Sequence, residues 1–171
     1  MEQSSKTLTF VVPAYNMETY LERCVESLLS ATDNSDIEVL IVDDGSSDGT
    51  PELADMYERR WPGNVRAIHQ VNKGHGGAVN TGIANATGMY VKVVDADDWV
   101  DMPSIDTLMG TLRVQRVATD PVDMIVTNYV YDKVGKRVKH TVNFRHAMAA
   151  NTVLGWDDLG CFGVAEYILM H

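Results

Sequence analysis

Cysteine is nearly absent from this chain: of its 171 residues only Cys24 and Cys161 are cysteines, far apart and without metal-type spacing. Neither a disulfide framework nor a zinc centre is expected from them, and a reducing compartment fits best. Positive charge is scarce as well, with 14 Lys and Arg against 24 Asp and Glu, so the net charge is -10. A field of that sign repels polyanions, and nucleic acid is not an expected partner. No stretch reaches the roughly 18 apolar residues of a membrane span, and the N-terminus shows no cationic segment followed by an apolar one. Cytoplasmic placement follows, with peripheral membrane association in a full-length protein left open. Repeats, low-complexity tracts and Pro- or Gly-rich linkers are missing too. What remains is 45% apolar and 22% charged, the composition of a globular protein of about one domain.

The run VKVVDADDW, residues 91 to 99, is the most informative part of what is present. A β-rich apolar segment stops abruptly at Asp95, Asp97 and Asp98. In a parallel sheet, ligands bind in the crevice outside the carboxyl ends of the strands, so acids placed there face a ligand. With only Ala96 between them, Asp95 and Asp97 can approach one hard cation of the oxygen-preferring kind. A solvated acidic turn is the plain alternative, and the surrounding pattern has to decide.

That pattern alternates. Strands are expected at residues 8–12, 37–42, 65–69 and 89–94, with helices after Pro13, from Thr50 to about Arg60, and over 78–86. Thr19 and Glu22 stand in capping-box spacing, and Thr50 and Pro51 read as N-cap and first helical residue. Four strands alternating with three helices give an α/β fold, a mainly parallel twisted sheet flanked by helices with right-handed crossovers. A further helix fits residues 104–112. Beyond it, residues 124–131 and 137–144 flank the turn DKVGK and read as an antiparallel hairpin added to the sheet. We expect residues 1–171 to form a single domain.

Two more clusters fall at strand ends. In IEVLIVDDGSSDGT, residues 37–50, Asp43 and Asp44 close a strand; the spacing from Asp44 mimics a calcium loop, but that loop needs a helix where a β-branched strand stands. A carboxylate there can accept an N–H from a ligand's base edge, while Ser46, Ser47 and Asp48 build the turn. In NKGHGGAVNTG, residues 72–82, neither nucleotide-binding glycine fingerprint holds. Its glycines still allow close backbone approach, the following helix offers free N–H groups to negative charge, and Lys73 can add a cation. His75 reads as a surface or packed histidine, since no other donor pairs with it.

In this order, TFVVPAYN, IEVLIVDDGSSDGT, NKGHGGAVNTG and VVDADDW resemble the donor-binding half of a family 2 inverting glycosyltransferase with the GT-A, Rossmann-like fold, over about residues 8–112. The resemblance implies that Pro13, Ala14, Tyr15, Asn16 and Asp44 hold the nucleotide base, with Asn72, Lys73 and Gly74 near base and ribose. It implies that Asp95, Ala96 and Asp97 form a DxD meeting the ribose and a Mn2+ or Mg2+ ion. On that resemblance Asp97 is expected to be the chief metal ligand, with Asp95 leaning toward ribose and Asp98 a further candidate for the metal. The implied reaction moves a sugar, with inversion, from a nucleotide-diphosphate donor, UDP-sugar above others, to a hydroxyl of a carbohydrate or glycolipid, in polysaccharide or glycoconjugate synthesis.

The general base is unassigned: Asp157, Asp158 and Glu166 are carboxylates in the right part of the chain, and none carries a motif. The chain is therefore expected to lack part of the acceptor-binding region. Two rivals stay open, a nucleotide-sugar-binding module that does not transfer, and a phosphoreceiver-type signalling domain. The latter wants its acidic pair after the first strand and a lysine after a later one. Homo-oligomerisation is not excluded.

Overall fold

A computed structural model describes residues 6–132, 139–146 and 148–155. Strand β1 (Lys6–Ala14), helix α1 (Leu21–Leu28), β2 (Ile37–Asp43), α2 (Thr50–Arg60), β3 (Val65–His69), α3 (Gly74–Asn85), β4 (Gly88–Val93) and α4 (Met102–Arg116) follow one another. The four strands form one parallel sheet in the order β3-β2-β1-β4. Two compact units divide after Pro121, and the parallel sheet belongs to the first.

The middle strands are almost entirely apolar because helices cover them, as parallel sheets require. Phe10, Val11, Val12, Ile37, Leu40 and Ile41 are wholly buried; each such side chain contributes about 1.5–3 kcal/mol. Helix α3 packs on β1 and β2, α2 on β3, and α4 on β1. Leu21, Val25 and Leu28 of α1 and Ile105, Met109 and Leu112 of α4 are buried.

Helix starts differ from expectation. Thr19 caps nothing: α1 begins after Tyr20 without a side-chain cap, because Tyr20 and Leu21 donate their amides to the Met17 carbonyl in a preceding turn. In α2 the N-cap is Gly49, and Thr50 is buried inside the helix, its Oγ1 accepting from the Met17 amide at 2.8 Å. Helix α3 starts at Gly74, four residues before Ala78, so the glycine-rich run is helix and not a turn. Its last glycine has a cause in packing: a Cβ at Gly82 would drive into the Val11 side chain.

In the second unit, β5 (Tyr129–Tyr131) and β6 (His140–Val142) pair antiparallel as a separate two-stranded sheet and do not extend the first. The pair is also shorter than expected, since Asn128 Oδ1 takes the Phe144 amide at 3.0 Å where a longer ladder would continue. All of the expected DKVGK turn but Asp132, and Asp157, Asp158 and Glu166, lie outside the described residues.

Candidate functional site

Because β1, β2, β3 and β4 run parallel, their carboxyl ends share one edge. Backbone bonds carry the ladder just past the strands: the Asp44 amide donates to the Ala14 carbonyl at 2.9 Å, and Val94 to Val11 at 3.0 Å. The three chain segments leaving β1, β2 and β4 are thereby set side by side. Together with the start of α3 they enclose a cleft of about 430 Å³. Pro13, Ala14, Tyr15, Asp44, Asn72, Gly74, Asp95, Ala96 and Asp97 line it, joined by Met17, His75 and Ala78.

Asp44 is only 2% exposed. A buried carboxylate has to be hydrogen-bonded, and its Oδ1 accepts from Gln70 Nε2 at 2.6 Å and from the Lys73 amide at 2.8 Å. Burial alone would push its carboxyl up, but these bonds and the Gly74 amide outweigh that and hold it below the usual carboxylate range. Gly45, at φ +74, makes room: a Cβ there would meet the Asn72 amide nitrogen at 3.0 Å, so the loop after β2 and the segment before α3 touch through backbone.

Neighbouring polar residues hold this corner in place. Asp43 accepts from the Ser46 amide at 3.0 Å and pairs with His69 Nδ1 at 2.9 Å, while His69 Nε2 meets Asp55 at 3.0 Å. Asn16, in a left-handed conformation at φ 55, turns its Oδ1 to the Ser47 amide at 2.9 Å. It therefore braces the loop and does not line the cleft. Lys73 likewise acts here through its backbone amide, and its side chain is not part of the lining.

The acidic turn after β4 is braced from behind by α1. Cys24 Sγ lies 3.7 Å from the Asp95 carbonyl, the Val100 amide donates to Ser27 Oγ at 3.1 Å, and the Arg23 guanidinium sits 3.3 Å over the Trp99 ring. Burial, and then the charges of Asp98, Asp97 and Asp95, push the Cys24 thiol up to about 12. It is a packed thiol and not a nucleophile at neutral pH. At the front of the turn, His75 Nε2 lies 2.9 Å from Asp95 Oδ1. His75, read from the sequence as a surface or packed histidine, lines the cleft; its signal was position, since it opens the helix that starts beside Asp95.

Comparison with known proteins then decides the family: the profile described as Glycosyl transferase family 2 matches residues 9–163. The chain belongs to glycosyl transferase family 2. Glycosyltransferase GlyG of Streptococcus pneumoniae is 40% identical over 131 residues, 75% of this chain and 41% of GlyG. The crystal structure of S. aureus TarS in complex with UDP matches with a TM-score of 0.58 at 26% identity, over 64% of this chain and 32% of the other. Mannosyltransferase PcManGT from Pyrobaculum calidifontis, in complex with GDP-Man and Mn2+, matches with a TM-score of 0.55 at 28% identity, over 67% and 32%. The fold is GT-A. The chain spans well under half the length of the curated relatives it matches.

Among the described residues no three His, Cys, Asp or Glu side chains converge as a closed metal cage. Asp95, Asp97 and Asp98 are exposed. Partial burial, then the charges of Asp97 and Asp95, raise the Asp98 carboxyl despite Lys92 nearby. Exposed hard oxygens without a cage fit a cation that takes one or two protein carboxylates and completes its shell with phosphate oxygens and water. Among the described residues no helix is long and apolar enough to cross a membrane.

Proposed function

We propose that this glycosyltransferase holds a UDP-sugar in the cleft and transfers the sugar, with inversion, to a hydroxyl of a carbohydrate or glycolipid. The observation that carries the reading is the convergence on one cleft of the ends of β1, β2 and β4 with the start of α3. The UDP bound by TarS and the Mn2+ bound by PcManGT support it.

The roles follow from chemistry. The Asp44 carboxylate, an acceptor only, takes an N–H from the base edge; Pro13, Ala14 and the half-exposed Tyr15 ring wall the base. Asn72 and Gly74 lie by the ribose, and Asp95 accepts from a ribose hydroxyl. Asp97, aided by Asp95, would hold Mn2+ or Mg2+. When bound, the cation offsets the negative charge of the diphosphate, which a protein of net charge -10 needs. In the reaction the acceptor oxygen attacks the anomeric carbon from the face opposite the diphosphate. The bond from that carbon to the diphosphate oxygen breaks, and the acceptor's proton passes to a carboxylate base. Asp157, Asp158 and Glu166 are the candidates for that base. The place of such an activity is polysaccharide or glycoconjugate synthesis.

A thermal-shift screen of nucleotide sugars tests the reading, because a ligand that binds only the folded state raises the melting temperature. Stabilisation by UDP-sugars in the presence of Mn2+ is expected. Stabilisation by none, or equally by adenine nucleotides, would contradict it.

A further inference from the structure

Gln70 does not line the cleft, yet it is tied to the most buried polar group that does. Its Nε2 lies 2.6 Å from Asp44 Oδ1, and its Oε1 accepts from Thr81 Oγ1 at 2.6 Å. The orientation of the amide is not arbitrary. A carboxylate can only accept, so the NH2 end must face Asp44, which leaves the carbonyl end for the Thr81 hydroxyl. Gln70 ends the backbone ladder at β3, where its amide donates to the Asp43 carbonyl at 3.0 Å, and Thr81 stands on α3. A strand and a helix on two sides of the loop therefore fix one side chain, and that side chain fixes the carboxylate.

We propose that Gln70, anchored by Thr81, is a positioning residue for base recognition: it holds Asp44 in the orientation and the acceptor-only state that select a nucleobase presenting a ring N–H. This rests on the reading of Asp44 as the base acceptor. A ring N–H is offered by uracil and by guanine, whereas the corresponding ring nitrogen of adenine or cytosine is itself an acceptor and faces the carboxylate unfavourably. Released from Gln70, Asp44 keeps one fewer donor against the cost of its burial, so both its ionised state and its aim are weakened.

A double-mutant cycle tests this, with the binding of UDP at fixed Mn2+ measured by calorimetry for the parent, Gln70→Met, Asp44→Asn and the double variant. Gln70→Met is close in length and removes the donor. It should weaken UDP about tenfold, the usual worth of a hydrogen bond to a charged group, and should cause no further loss once Asp44 is Asn. Thr81→Val keeps the shape of the helix surface and should give a smaller loss that also vanishes in the Asp44→Asn background, which guards against a poorly folded Gln70 variant. Losses that multiply in the double variant, or parent-like binding by both Gln70→Met and Thr81→Val while Asp44→Asn binds weakly, would overturn the role of Gln70. Parent-like binding by Asp44→Asn itself would overturn the base reading of Asp44, and the role of Gln70 with it.

Discussion

His75 Nε2 stands 2.9 Å from Asp95 Oδ1, so the glycine-rich helix and the acidic strand end, 20 residues apart in sequence, meet across the cleft. The bond occupies one oxygen of Asp95 and sets the direction of the other. Both side chains are more than half exposed, 65% and 55%, and solvent limits what such a pair contributes to less than about 1 kcal/mol.

His75→Ala should therefore weaken UDP in the presence of Mn2+ by no more than roughly fivefold. Uridine, which keeps the ribose but carries no diphosphate, should lose no more than UDP does. Calorimetry with both ligands checks it. A larger loss for uridine than for UDP would mean that His75 serves the base and not the acidic corner.

Two glycines should respond to alanine in opposite directions. At Gly82 the added Cβ would collide with the wholly buried Val11, and the cost should be about 1–3 kcal/mol, as for other overpacked cores. At Gly110, in the middle of α4, a Cβ meets nothing within 4 Å, and Gly110→Ala should stabilise by about 0.5–1 kcal/mol through helix propensity. Urea unfolding of the two variants reads both signs.

Strands β1 and β2 were legible from sequence because buried parallel strands are apolar runs, and β2 and β4 stop just before the acids Asp44 and Asp95. The start of α3 was not legible. Glycine-rich sequence reads as a turn, and only the contact of Gly82 with Val11 shows why a helix needs it. The separate pairing of β5 with β6 was also hidden, since alternation reports a hairpin but not the sheet it joins. Of the site residues, Asp44, Asp95 and Asp97 were legible as acids at strand ends. His75 and Gln70 were not, because their partners are distant in sequence and short motifs do not record such contacts. Asn16, named from its motif as a base contact, has a left-handed backbone and turns its Oδ1 to the Ser47 amide.

Stability should carry a histidine signature near neutral pH. The bond to Asp43, then that to Asp55, raises the His69 pKa above its ordinary 6.5 despite partial burial. A folded-state value above the unfolded one means that the stabilisation is fully present below about pH 6.5 and is lost as pH rises through the folded value. Melting temperatures of the parent should fall over that window relative to His69→Ala. Since the His69 side chain is 41% exposed, the difference should stay under about 1 kcal/mol. Parallel pH profiles for the two proteins would show that the pair with Asp43 contributes nothing.

We propose that the cleft binds a nucleoside diphosphate through a cation at Asp97. Calorimetric titration of UDP into the protein, with Mn2+ and with chelator, and into Asp97→Ala, tests it most directly. Binding should be strong with Mn2+, weak with chelator, and weak in Asp97→Ala under both conditions. No binding by the parent with Mn2+ present, or equal Mn2+-dependent binding by Asp97→Ala, would contradict it.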